Sequence, residues 1–213
     1  MKRIAIIGSG HLGQQILHLI HTDTEHEVVG FYDDFALPGT VINGTRVLGK
    51  LDIIHSDFLE NRFDELIIGI GYNHLAFKGA LFERFSAVNI PFFTFIHSSC
   101  LIDSSAIIGS GVVIYPGTVV DQKVTIEDNV LINLSVTISH DSKIGAHGFI
   151  APAVALAGFV HIGPYCMLGI QSTVIDNITL GSFVTLGGGA VVVKNIDKRG
   201  IYIGHPAKFL RES

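Results

Sequence analysis

The chain has 213 residues, 48% of them hydrophobic, with 19 acidic against 14 basic side chains and a formal charge of -5. That length allows one or two domains, and mild acidity without a Lys/Arg run argues against nucleic acid as a partner. Two cysteines, Cys100 and Cys166, make neither a disulfide framework nor a metal spacing, so the expectation is a reducing cytoplasm and no metal. The opening MKRIAIIGSG runs into a glycine turn rather than a signal cleavage region, and no stretch of about twenty apolar residues follows, so a soluble protein without a membrane partner is expected.

In chain order, Lys2 to Ile7 reads as a buried parallel strand that enters Gly8-Ser9-Gly10-His11-Leu12-Gly13 and a helix from Gln14 to His21. Strand, glycine turn and helix are a mononucleotide-binding start. A second strand, Glu27 to Tyr32, ends in Asp33-Asp34, about twenty residues past the glycines where a ribose hydroxyl would be read. Ala36 to Asn61 reads as a turn, a short strand pair and a weak helix. A third strand, Glu65 to Ile70, leads into Gly71-Tyr72-Asn73 and a helix from His74 to Val88, and a fourth, Pro91 to Ile96, hands over at His97-Ser98-Ser99. Three readings of this first part compete: half of a nicotinamide-binding Rossmann fold, a purely structural α/β cap, and a nucleotide-sugar site. The first has the full glycine pattern but stops near residue 97, before the second half that usually carries the nicotinamide.

From Ile102 to Leu186 an aliphatic residue then recurs at every sixth position, fifteen times, and four residues after each stands a small or β-branched one. No helix has a period of six, whereas short strands joined by tight corners do. Both repeated positions fall on one face, because strand side chains alternate with period two. Three hexads make a triangular coil, so fifteen give about five coils.

The hexad pattern resembles the left-handed parallel β-helix of the hexapeptide-repeat acyltransferases. An α/β domain of this size placed before it is similar to the nucleotide-sugar N-acetyltransferases of the UDP-N-acetylbacillosamine pathway type and the sialic acid O-acetyltransferase-like proteins. The carrying segments are Gly8 to Gly13 with His11, Phe31-Tyr32-Asp33-Asp34, Leu131-Ile132-Asn133, Ile138-Ser139-His140-Asp141, Leu156-Ala157-Gly158, Leu186 to Ala190 and Gly204-His205-Pro206-Ala207-Lys208. The resemblance implies residues 1–97 as a Rossmann-like nucleotide-sugar-binding domain, residues 98–213 as the β-helix acyltransferase domain with a C-terminal tail, a homotrimer, and acetyl-CoA as co-substrate in glycan biosynthesis.

It also implies roles. His140 would be the base that removes a proton from the amine of a nucleotide-linked 4-amino-4,6-dideoxy sugar, with Asp141 fixing its tautomer. Gly8, Gly10, His11, Gly13, Asp33, Asp34, Gly71, Asn73 and Asn133 would bind the nucleotide sugar. Gly158 would present a backbone N–H to the acetyl carbonyl. Ala157, Ile170, Gly187, Gly188 and Gly189 would wall the pantetheine arm, and Lys208, one of five basic residues after position 190, joins this cofactor set. The chain departs from the family where a histidine often follows the catalytic coil: Phe149 stands there, with His147 two residues earlier. Near Gly71, Tyr72, Asn73 and Lys78 replace the family's polar and arginine pattern. Two rivals remain open at this point: O-acetylation of a sugar by the same base, and a non-catalytic trimeric scaffold that binds a nucleotide.

Overall fold

The computed structural model describes residues 1–212, and the chain divides into two compact units, Met1–Phe95 and a second that begins at Ile96. In the first unit, strands β1 (Arg3–Ile7), β2 (Glu27–Tyr32), β3 (Val41–Ile42), β4 (Thr45–Gly49) and β5 (Glu65–Ile68) form one sheet in the order β3-β4-β2-β1-β5. All pairs are parallel except β3 with β4. Beyond Arg3, central β1 is aliphatic and buried from Ile4 to Ile7, as a strand covered on both faces must be. Helix α1 (His11–Asp23) buries Gly13, Ile16, Leu17 and Ile20, a single stripe at helical spacing. It stops where both the N–H and Oγ of Thr24 bond the Ile20 carbonyl. Helix α2 (Ile54–Leu59) and helix α3 (Leu75–Ser86) follow, and Leu81, Phe82 and Phe85 of α3 pack on Tyr32, Leu66 and Ile68.

Three boundaries differ from the sequence reading. Helix α1 begins three residues earlier, directly at His11. Strand β5 ends at Ile68 because Gly69 lies against Gly13, where a Cβ would come within 2.6 Å of the Gly13 Cα. The expected fourth strand, Pro91 to Ile96, reduces to a single parallel bridge from Phe92 to Leu66, while Phe95–Ile96 pairs into the second unit's sheet.

The second unit is the coil of hexads. Its first face holds six strands, from Leu101–Ile102 to Val191–Val192; its second holds five, from Ile107–Ile108 to Thr179–Leu180; its third holds eight, from Phe95–Ile96 to Lys208–Arg211. Up to Val192 each strand pairs in parallel with the one 18 residues before it, as Leu101 with Val119 and Val119 with Thr137. The repeated aliphatic residues and the small ones beside them make one buried column, including Ile114, Ile132, Ile138, Ile144, Val160 and Leu168. Burial of each aliphatic side chain contributes roughly 1.5–3 kcal/mol.

The register runs past Leu186 to Val192, and Ile196 bridges back to Leu180. What reads in the sequence as a C-terminal tail therefore adds a sixth rung, closed by Gly200–Ile203 and the antiparallel Lys208–Arg211. Its aliphatic spacing is broken after Val192, which hides it from the hexad pattern.

The corners need a left-handed residue. Asp141, Phe159 and Asn177 stand one above another at one of them with φ of 55°, 57° and 60°. A non-glycine residue in this region costs about 1–2 kcal/mol. Each is held there by an N–H bonded to the coil below: Asp141 to the Gln122 carbonyl at 3.1 Å, Phe159 to that of His140 at 3.1 Å, Asn177 to that of Gly158 at 3.0 Å.

Candidate active site

In the first unit the glycine turn opens a cavity of about 550 Å³, lined by Gly8, Gly10, Asp33, Asp34, Gly69 and Gly71 with the apolar side chains Ile7, Phe35, Leu51, Ile70 and Phe77. Gly8 lies at φ +95°, which only glycine adopts freely, and Gly10 has nothing within 4 Å of where a Cβ would stand. Gly8 N–H bonds the Tyr32 carbonyl and Ser9 N–H bonds Asp33, so it is the open N-terminus of α1 beside Gly10 that borders free space, an arrangement suited to an anion.

The two acids differ. Ser9 donates to Asp33 Oδ2 through both its N–H (2.8 Å) and its hydroxyl (2.6 Å), and Phe35 N–H donates to Oδ1 at 2.9 Å. Burial pushes the Asp33 pKa up, but these bonds outweigh it and hold the carboxyl below its usual value. Asp33 therefore shapes the loop. Asp34 accepts a single bond, from Leu51 N–H to Oδ1 at 3.0 Å, and is exposed on the cavity wall. His11 and Asn73 are exposed but do not line the cavity, and Gly13 is buried, with a Cβ there meeting the Gly8 carbonyl at 2.0 Å. Sequence reasoning passes over three exposed lining residues, Phe35, His74 and Phe77. Phe35, 98% exposed, is the one with a signal: an aromatic directly after the acid pair.

In the second unit His140 stands third in its hexad, at the corner that leaves the first face. Its Nδ1 lies 3.0 Å from Asp141 Oδ2. A carboxylate only accepts, so Nδ1 carries the hydrogen and Nε2 keeps its lone pair. The ring is held on two further sides. It stands edge-on to Phe159 at 5.2 Å, and it lies so close over Gly158 that a Cβ there would come within 2.8 Å of Cε1 and 2.9 Å of Nε2. With 41% of the side chain exposed, the base faces outward.

Ala157 and Gly158 sit one coil above His140 at the same corner, beyond Leu156 of the first face. Ile170 and Gly187 to Gly189 sit at the opposite edge of that face, before Thr173 and Val191. There Gly189 N–H bonds the Ile170 carbonyl at 2.8 Å, and a Cβ on Gly188 would touch Ile170 Cγ2 at 3.1 Å. Ile170 is 54% exposed. Asn133 is a corner residue whose Oδ1 accepts the Leu134 N–H at 2.8 Å, and Lys208 lies in the exposed last strand. His147 is buried, with Nδ1 3.0 Å from Asn129 Nδ2 and its ring on Tyr165 at 4.7 Å, a corner packing position rather than a second surface histidine. Among the described residues no group of three or more His, Cys, Asp or Glu converges as for a metal ion, and no helix is long and apolar enough to cross a membrane.

The α/β domain followed by stacked hexads is an arrangement the chain shares with solved acetyltransferases. Residues 3–77 match the PglD N-terminal domain family. Over 99% of its length the chain is similar to the acetyltransferase domain of PglB from Neisseria gonorrhoeae FA1090, at 28% identity and a TM-score of 0.84, covering 100% of that chain. It is likewise similar over 99% to PerB from Caulobacter crescentus in complex with CoA and GDP-perosamine, at 26% identity and a TM-score of 0.88, covering 98% of that chain. Against UDP-3-O-acylglucosamine N-acyltransferase of Bordetella pertussis it is 36% identical over 69 residues, 32% of this chain and 19% of that one. The chain thus spans about a fifth of the length of the curated relatives it matches. Its first unit is an α/β domain similar over residues 3–77 to the PglD N-terminal domain family, and its second is a parallel β-helix of hexads.

Proposed function

We propose that the protein transfers an acetyl group from acetyl-CoA to the amine of a nucleotide-linked amino sugar. The observation that carries this is the His140 corner: an outward imidazole with Nδ1 fixed by Asp141 and the Gly158 backbone directly against its ring. His140 Nε2 accepts a proton from the attacking amine, and Asp141 stabilises the imidazolium that forms. The Gly158 N–H donates to the carbonyl oxygen as negative charge grows on it. His140 then returns the proton to the leaving thiolate. General-base help of this kind supplies about 10²–10⁴ in rate.

The residues fit the pantetheine arm: a corner of three glycines leaves bare backbone, and the exposed Ile170 beside it gives an apolar wall. The cavity at Gly8 to Gly13 suits the nucleotide, with phosphates at the α1 N-terminus, Asp34 toward polar edges and Phe35 and Phe77 beside the base. Solved relatives support this chemistry, since PerB is seen with CoA and GDP-perosamine and the PglB acetyltransferase domain with acetyl coenzyme A. Assembly as a homotrimer would cover Leu101, Ile107 and Val119, which stand exposed on the outward side of two faces.

The test is thiol release from acetyl-CoA against UDP-, dTDP- and GDP-linked amino sugars, with free sialic acid alongside. Release with an amino sugar, abolished to about a hundredth in His140→Ala and less reduced in Asp141→Asn, is expected. An acetyl product that mild alkali hydrolyses would be an ester and would replace this reading by O-acetyl transfer.

A further inference from the structure

We propose that Ser142 is a positioning residue that aims the Gly158 N–H at the reacting carbonyl; this rests on the acetyl-transfer reading above. The inner residues stacked beneath the His140 corner are Ala106, Val124, Ser142, Val160 and Ile178, so the coil that carries His140 and Asp141 is the one that places a hydroxyl in this column. Ser142 is 1% exposed. Its Oγ accepts the Val160 N–H at 3.1 Å and lies 3.1 Å from the Ala157 carbonyl oxygen, against 3.4 Å to that of His140. A hydroxyl has one hydrogen, and the shorter contact takes it.

Two comparisons within the molecule show what this does. Where a corner closes on itself, as at Asp103–Ala106 or Gly187–Ala190, the fourth residue's N–H bonds the first carbonyl at 3.0 or 3.2 Å. At Ala157–Val160 the same two groups both bond Ser142 Oγ instead, so one oxygen atom is inserted into the turn. The same reach to the coil above recurs at three of the other four inner donors: Cys100 Sγ to the Tyr115 carbonyl (3.2 Å), Thr118 Oγ1 to that of Asn133 (3.0 Å), Cys166 Sγ to that of Gly181 (3.0 Å); the fourth, Ser172, has an Oγ without a partner and lies below the Gly187–Ala190 corner that closes on itself. Where an inner donor makes this bond, it fixes the orientation of the first peptide unit of the next corner. The unit fixed by Ser142 is Ala157–Gly158.

A trans peptide is planar, with its C=O and N–H pointing in opposite directions. Tying the Ala157 carbonyl to a core hydroxyl turns the Gly158 N–H away from Ser142, on the residue whose Cα supports the His140 ring. Ser142 thus sets the donor beside the base without touching substrate. A donor aimed before the reaction needs no reorganisation during it, which is where such groups gain their effect.

Ser142→Val introduces the residue type found directly above and below it in the column, Val124 and Val160, so the coil keeps its packing. The expected result is a kcat for acetyl transfer lower by about 10- to 100-fold, with both KM values within about twofold and the pH–rate profile unmoved, because the base itself is intact. Ser142→Thr, which restores a hydroxyl in the way Thr118 supplies one, should recover most of the rate. Cys166→Val, which removes the corresponding bond at the Gly181 corner, should leave kcat unchanged. If Ser142→Val does not fold, Ser142→Ala, the residue type of Ala106, carries the same expectation. A folded Ser142 variant with wild-type kcat, a loss confined to KM, or an equal loss in Cys166→Val would overturn the proposal. His140→Ala run in parallel separates the failures: if it turns over normally the acetyl-transfer reading is wrong, and if it is inactive while Ser142→Val is normal, only the role of Ser142 falls.

Discussion

Replacing Gly158 by alanine tests the active corner with one carbon atom. Gly158 is outside the left-handed region, so alanine adds no backbone strain. Its Cβ would stand 2.8, 2.9 and 3.4 Å from Cε1, Nε2 and Nδ1 of His140. An ordinary carbon contact begins near 3.4 Å, so the ring must retreat by about 0.6 Å or more. The ring is a side chain, 41% exposed, and it moves more easily than the coil beneath it. Stability should therefore fall by less than about 1 kcal/mol. The reaction is less forgiving: a displacement approaching 1 Å costs up to about 100-fold, and the retreat also pulls Nδ1 from its 3.0 Å contact with Asp141. Initial rates of thiol release at saturating acetyl-CoA and nucleotide sugar, beside a thermal melt, should show kcat down by about 10- to 100-fold at an unchanged Tm. A Gly158→Ala enzyme with wild-type kcat would refute the placement of the reacting base over Gly158.

Four further outcomes follow from the packing. Gly13→Ala sets a Cβ 2.0 Å from the backbone carbonyl of Gly8, which cannot step aside, and should cost the α/β unit at least about 3 kcal/mol in urea unfolding. Gly10→Val, at a site open to 4 Å, should fold normally yet raise KM for the nucleotide sugar well above any change for acetyl-CoA; equal effects, or saturable NAD binding by the wild type, would revive the dinucleotide reading. Ile144→Asp buries an unpaired carboxylate at a position now 0% exposed and should yield insoluble protein, since that cost of several kcal/mol approaches a total stability of about 5–15. Burial lowers the Lys78 pKa to about 7, whereas an unfolded lysine titrates near 10.4. Between those values the unfolded chain holds the extra proton, so stability should rise with pH from about 7 to about 10, by at most about 1.4 kcal/mol per pH unit, and lie flat below. Lys78→Met should remove that slope in denaturant titrations at pH 6, 8 and 9.5; a slope of the same size in the variant would place its source elsewhere.

The β-helix was legible because each coil repeats the same physical demand: an aliphatic residue inward at Ile138, Leu156 and Val174, and something small two positions before it. Where the demand lapses after Val192, the pattern lapses too, and the sixth rung held by Ile196 and Tyr202 shows only in three dimensions. The α/β unit was legible in its strands, since β1 and β2 are apolar after a single charged first residue, Arg3 and Glu27. The segment Pro91 to Ile96 has the same composition but is divided between two partners, Leu66 and the first rung. At the sites, chemistry-bearing pairs such as His140-Asp141 stand next to each other in the chain and could be read there. Ser142 could not, because its partner Ala157 is 15 residues away and serine is one of the small residues that the inner position accepts. Nor could the difference between Asp33 and Asp34, adjacent and identical, which depends on where Ser9 and Leu51 direct their N–H groups.

Each coil bonds only to the coil above and the coil below, so disorder in this unit has to travel along one axis. Opening starts at the two ends, where a rung has a single neighbour, and proceeds by fraying inward. His140 leaves the third of the six strands on its face and Gly158 the fourth, the two furthest from either end. The amides of those turns should be among the slowest in the second unit to exchange with solvent deuterium, and the working corner should keep its shape while the outer rungs come and go.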